Sequence, residues 1–181
     1  MFDFFIKDMK GDKEEFIRLL EGPMKVLYKI AYSYFREKEA ASDAIQDTIL
    51  NAYKNFHKLK DREKFRSWIT SILVNDCRQK LRKGKKINFE EYSENIIDIN
   101  KFTQGNKKSE YIMVEDRIDI LNLLSRIDDK YREVISLKYL GDYTIEEISL
   151  ILDIPEGTVK SRLNFGIKRL RTLMEVKIDV V

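Results

Sequence analysis

Within this 181-residue chain, the side chains best placed for binding chemistry lie between Thr144 and Arg171, TIEEISLILDIPEGTVKSRLNFGIKRLR. From Gly157 to Leu173 there are five basic residues and no acidic one, although the whole chain balances 34 Lys and Arg against 31 Asp and Glu. If Val159, Leu163, Ile167 and Leu170 form the inward stripe of a helix, then Thr158, Lys160, Ser161, Arg162, Phe165, Lys168 and Arg169 fall mostly on its other faces. Cations that hold phosphates, beside short hydroxyl side chains that reach base edges, are what duplex DNA recognition needs. These seven residues are the candidate contacts to duplex DNA. Catalytic chemistry has no such support. A single histidine, His57, and a single cysteine, Cys77, make neither a zinc site nor an internal disulfide. There is no glycine-rich phosphate loop and no nucleophile paired with a base, so neither an enzyme nor a bound metal or cofactor is expected.

Helices must position those contacts. Thr144 and Glu147 have the spacing of a capping box, in which each side chain bonds the other's backbone N–H. Ile145, Ile148 and Leu152 then recur at helical spacing. Ile154-Pro155-Glu156-Gly157 breaks that helix, since proline disfavours helical geometry in the residue before it. A second helix follows, which makes a helix-turn-helix. Upstream, a helix over Arg117–Arg126 carries Ile118, Leu121 and Leu124. Asp128 or Asp129 should cap another, with Tyr131, Val134, Ile135 and Leu137 to Leu140 inward and Gly141 as its stop. Val176 to Val181 reads as a short tail.

In the N-terminal half, Asp12 is positioned to cap a helix through Phe16 and Leu20, with a break or kink at Gly22-Pro23 before the pattern resumes. A helix from about Ala40 to His57 has Ala44, Ile45, Thr48, Ile49, Ala52, Tyr53 and Phe56 on one side and Asp43, Gln46 and Asp47 on the other. After a charged loop with no evident cap, Lys58 to Lys64, comes a helix from Phe65 to Arg82. Its inward residues are Trp68, Ile69, Ile72, Leu73 and Cys77. That helix ends in Arg78, Lys80, Arg82, Lys83, Lys85 and Lys86, six cations in nine residues. Complementing the helix dipole needs fewer, so the cluster reads as a surface that tracks phosphates. Tyr53, Phe56, Phe65 and Trp68 lie close around the loop and could border a pocket for an unstacked base. Taken singly, each reads as core, Trp68 included.

With 7 Gly, 2 Pro and 43% apolar residues, the composition favours an all-α fold. Ile87 to Met113 lacks helical periodicity and contains a Gln104-Gly105-Asn106 turn signal, so it reads as a flexible linker. The expected organisation is a domain over 1–86, a linker over 87–113 and a domain over 114–181, two small helical domains in all. Neither a signal peptide nor a membrane-spanning run is apparent, which points to the reducing cytoplasm.

Four blocks together resemble the extracytoplasmic-function (ECF) sigma factors of bacterial RNA polymerase, in that family's order and spacing. They are Asp43 to Tyr53, Phe65 to Asn75 with Arg82, Tyr131 to Ile135, and Pro155 to Leu163. The resemblance implies a promoter-specificity subunit. Its N-terminal domain would bind the polymerase clamp through Asp43, Gln46 and Asp47. It would capture the melted promoter element with Lys60, Arg62, Lys64, Asn75, Arg78, Arg82 and Lys83, taking a flipped base beside the Leu59 to Lys64 loop. The C-terminal domain would read the more distant element as duplex, with Glu156 joining the outward residues of the second helix as a contact. The linker would thread the polymerase, and an anti-sigma factor is an expected regulator, one that would hold the protein at the membrane if itself membrane-bound. No stable homo-oligomer is expected.

The pattern is not followed throughout. Ser42 and Ala44 stand where the family commonly has an acid and a large aliphatic, and Gln79 replaces a common aspartate. The region preceding the N-terminal domain of primary sigma factors is expected to be absent. A dimeric repressor or activator would explain Thr144 to Arg171 equally well, but it leaves the acidic face around Asp43 and the cations after Arg78 without a role.

Overall fold

The computed structural model of the protein describes residues 13–84, 123, 124 and 126–178. The chain is all-helical, with no strand among the described residues. The linker at 87–113, the possible cap at Asp12, Lys85, Lys86 and most of the helix expected over Arg117–Arg126 lie outside them.

Helix α1 is Lys13–Glu21 and α2 is Met24–Phe35. Gly22-Pro23 separates them as two abutting helices, and the Pro23 carbonyl accepts from Leu27 N at 2.9 Å. Arg36, left-handed at φ 57°, ends α2 by donating its N–H to the Tyr32 carbonyl. Helix α3, Lys38–Asn55, runs into a single 3-10 turn at Phe56–Lys58. The loop after it does have a cap. Asp61 Oδ1 accepts from Glu63 N at 3.0 Å and starts a 3-10 turn at Arg62–Lys64, the local bond by which aspartate favours turns. Helix α4 is Phe65–Gly84. Alanines 41, 44 and 52 are fully buried, and their small side chains let α2 and α4 pack closely on α3. Phe16 meets Tyr53, Phe56 and Phe65 edge-on, with ring centroids 5.2, 5.1 and 5.6 Å away.

In the C-terminal half, α5 is Asp129–Ile135 and continues as a turn of π-helix, Ser136–Leu140, closed by Gly141 N donating to the Ser136 carbonyl at 3.0 Å. Asp128 precedes α5 without a side-chain capping bond. The extra residue of the π turn rotates the face that follows. Tyr139, expected inward, is therefore 62% exposed, while Ser136 is buried. Helix α6 is Ile145–Leu152 and α7 is Glu156–Ile178, so the tail expected from Val176 begins as helix.

The two helical domains are docked against each other, not held apart as tethered modules. Helix α4 packs on α6, α2 packs on the π turn, and one continuous cluster of buried side chains runs from Phe16 to Leu163. The reason lies in α4. Beyond Ile69, Leu73 and Cys77, its Thr70 and Val74 are also fully buried, so the helix is covered on more of its circumference than a single inward stripe requires.

Candidate nucleic-acid interface

Both bonds of the expected capping box form. Glu147 N donates to Thr144 Oγ1 at 3.2 Å, and Thr144 N donates to Glu147 Oε2 at 2.8 Å. Asp153, left-handed at φ 54°, ends α6, and Ser149 Oγ donates to the Ile154 carbonyl at 2.6 Å. The break is shorter than the sequence suggests. Pro155 accepts from Thr158 N and Val159 N, which places Glu156 and Gly157 in the first turn of α7. Val159 and Leu163 anchor α7 inward. Gly166 permits its close approach to α5, since a Cβ there would lie 2.6 Å from Ile135 Cδ1.

This anchoring presents the expected contacts along the outer side of α7. Glu156, Lys160, Ser161, Phe165, Lys168 and Arg169 are exposed, and Thr158 and Arg162 are half-buried. Lys160 Nζ lies 3.4 Å from Glu156 Oε2, a surface pair that a phosphate can displace at little cost. Phe165 is 63% exposed, its ring 6.4 Å from that of Tyr131.

The basic residues of the N-terminal domain divide into two groups. Lys60, Lys64, Arg82 and Lys83 are exposed, as is the neutral Asn75, with Lys64 3.6 Å from Asp61. The others are engaged by groups of the protein itself. Arg62 lies 3.9 Å above the Phe56 ring, donates to the Phe56 and Leu59 carbonyls and pairs with Glu15 at 3.3 Å, holding the loop onto α1. Lys80 pairs with Asp47 at 2.7 Å. Arg78 faces the other domain: its Nε and Nη2 donate to the two carboxylate oxygens of Glu133 at 2.8 and 2.7 Å. That bond to Glu133 raises the Arg78 pKa above its ordinary value, against the opposing effect of burial. Phe56 and Phe65 are 2% exposed, so these two belong to the core and do not border an open base pocket. Tyr53 and Trp68 are half-buried.

On α3, Asp43 and Asp47 are exposed and Gln46 is half-buried, so the three share the outer face as expected. Sequence reasoning missed Asp76, whose carboxylate accepts from Thr48 Oγ1 at 3.3 Å and Asn51 Nδ2 at 3.2 Å and ties α4 to α3. It also missed the residues between the domains. Arg66 donates to the Gly141 carbonyl and lies over the Tyr143 ring at 4.3 Å, and Tyr143 Oη is 2.7 Å from Thr70 Oγ1. Burial raises the Tyr143 pKa, and it pushes that of Tyr34 well above its usual range, with the Glu133 carboxylate adding to the latter. None of these pairings has a short-range sequence signal. Among the described residues there is no cluster of His, Cys, Asp and Glu able to hold a metal, and no helix long and apolar enough to cross a membrane.

Comparison with known proteins fits this geometry. The family model Sigma-70 region 2 matches residues 21–87, and Sigma-70, region 4 matches 117–170. The ECF RNA polymerase sigma factor SigW of Bacillus subtilis is 29% identical over 170 residues, covering 90% of each chain. Two solved structures share the fold at a TM-score of 0.66. One is CnrH in complex with the cytosolic domain of CnrY, 19% identical and covering 92% of this chain and 91% of that one. The other is the sigma factor RpoE in complex with the anti-sigma factor NepR from Bartonella quintana, 22% identical and covering 91% and 96%. The chain belongs to the sigma-70 family of transcription initiation factors. Within that family it is an ECF sigma factor, with the region 2 and region 4 domains that direct RNA polymerase to promoters.

Proposed function

We propose a division of labour between the faces described above. Helix α7 enters the major groove of the distant promoter element, with Lys160, Arg162, Lys168 and Arg169 on phosphates and Glu156, Thr158, Ser161 and Phe165 nearer the base edges. Exposed Asn75, Arg82 and Lys83 on α4, together with Arg78 and with Lys60 and Lys64 of the loop before it, hold the melted strand. Arg62 serves that surface by fixing the loop. Asp43, Gln46 and Asp47 form the acidic face for the polymerase clamp. Bond-making belongs to the polymerase, and the chain acts in the cytoplasm without a cofactor. An anti-sigma factor is its proposed regulator, since RpoE is seen bound to the anti-sigma factor NepR and CnrH to the cytosolic domain of CnrY.

The observation that carries this reading is the outward cationic side of α7, with no acidic residue between Gly157 and Leu173, on a helix-turn-helix whose capping box is formed. The test is run-off transcription on fragmented genomic DNA by core polymerase with and without the protein, followed by sequencing of transcript starts. New starts that share two spaced motifs are expected. Duplex binding by the protein alone, with no new starts in the presence of core, would favour the repressor reading instead.

A further inference from the structure

Helix α2 carries a face that none of these roles uses. Leu27, Ile30 and Ala31 are fully buried and Tyr34 is 6% exposed, which fixes the inward side of the helix. Lys25, Tyr28, Lys29, Tyr32 and Arg36 recur at spacings of three and four, so they share the opposite face. That stripe runs along about 16 Å of helix. Its three cations are exposed and its two tyrosines half-buried, with ring planes 17° from parallel and centroids 6.3 Å apart. From Gly22 to Arg36 there is no acidic residue. A solvated helix face ordinarily mixes charges and polar groups and leaves aromatic rings to the core. Burial raises the pKa of both phenols; at Tyr32 the neighbouring Tyr28 adds to the rise, and the Arg36 charge, within electrostatic reach, opposes it. Both rings are therefore neutral at physiological pH and add no negative charge to the stripe.

We propose that this stripe is a site for single-stranded nucleic acid: the Tyr28 and Tyr32 rings stack unpaired bases, and Lys25, Lys29 and Arg36 hold the phosphates that join them. Every base has a flat face and every nucleotide a charged phosphate, so rings interleaved with cations take a strand with little regard to its sequence. Duplex does not fit, because its bases are stacked on one another and offer the rings no face. An acidic peptide would answer the cations but leave the near-parallel rings without a flat partner. The site stands apart from the cations of α4 and needs no part of the role proposed for them.

The test uses the full chain. One variant combines Lys25→Gln, Lys29→Gln and Arg36→Gln, all at exposed positions where the fold is not at stake. A second combines Tyr28→Leu and Tyr32→Leu, which keeps apolar cover on the core but removes the rings, and a third, Tyr28→Phe with Tyr32→Phe, keeps the rings. Binding of fluorescein-labelled oligo-dT and oligo-U is followed by anisotropy over a salt series, with circular dichroism for helix content. Loss of three phosphate contacts should reduce the slope of log affinity against log salt by about two units in the charge variant. The leucine variant should bind about tenfold or more weakly, and the phenylalanine variant like the parent. A strand carrying 5-iododeoxyuridine should cross-link on irradiation to Tyr28 or Tyr32, as read by peptide mass spectrometry. Binding of either probe in this pattern supports the site, and the tighter of the two tells whether DNA or RNA is its strand. Unchanged affinity and salt slope in the charge variant overturns the proposal, as do cross-links that fall only outside α2 or a parent that binds neither strand at low salt. Loss of core polymerase affinity with strand binding intact also overturns it, and makes the stripe a protein contact.

Discussion

Thr70 and Tyr143 are 73 residues apart in sequence, yet their side-chain oxygens lie 2.7 Å apart with both residues fully buried. One belongs to the region 2 domain and the other to the approach to the helix-turn-helix. Tyr143→Phe leaves the Thr70 hydroxyl without this partner in a dry site, a loss of about 1–3 kcal/mol. Adding Thr70→Val removes the stranded group, so the double variant should lose less than the sum of the two single changes. Thermal unfolding of the four proteins by circular dichroism measures the difference; strict additivity would show that the bond does not couple the domains.

Gly166 lets α7 lie close to α5, with Ile135 Cδ1 the atom that a Cβ would strike at 2.6 Å. Overpacking of this kind costs about 1–3 kcal/mol, so Gly166→Ala should lower the urea midpoint. Ile135→Val deletes that Cδ1 atom and should recover a good part of the loss in the paired variant. No recovery would mean that the helices separate as a unit.

Cys77 is fully buried, and that burial, with the Asp76 carboxylate next in effect, pushes its thiol from 9.0 up to about 12. The folded value is the higher one, so the native state keeps a proton that the unfolded chain releases. Its contribution is complete below about pH 9 and falls by roughly 1.4 kcal/mol per pH unit from there toward about 12. Stability curves of the parent and Cys77→Ala should therefore converge as pH rises through that window. At neutral pH the native thiol should be unreactive toward a disulfide reagent, and rapid labelling of folded protein would contradict the packing.

Changing Asp43, Gln46 and Asp47 together to Ala breaks the ion pair of Asp47 with Lys80, which sits at a partly exposed site. Such pairs contribute about 0–1 kcal/mol, so helix content and unfolding midpoint should stay close to the parent while core polymerase affinity drops. Parallel loss of helix would show that these side chains hold α3 instead.

Arg162→Glu reverses a charge on the outer side of α7 and should abolish recognition of the distant element without affecting core binding. Lys168→Ala should weaken duplex binding evenly across sequences and lower the salt slope by about one unit. Gel shifts of the holoenzyme at several salt concentrations separate the two behaviours, and a sequence-dependent effect of Lys168→Ala would move that residue to the base edges.

Local rules were enough for the helix-turn-helix. The Thr144 and Glu147 box needs only three residues of separation, and the stripe of Val159 and Leu163 repeats within about a turn, so the outward set on α7 was legible residue by residue. The acidic face of α3 followed from the same periodicity. What the sequence could not supply was which exposed-looking charges are already spent. Arg62, Arg78 and Glu133 look like solvated ions in one dimension, and only packing brings Arg62 onto Phe56 and Arg78 onto Glu133. The π turn at Ser136–Leu140 likewise turned Tyr139 outward against its apolar pattern. Helical periodicity records one buried stripe per helix and is silent about a second helix face covered by a distant domain. The docking of the two halves was therefore decided by tertiary structure, through contacts such as Thr70 to Tyr143 that no short-range spacing encodes.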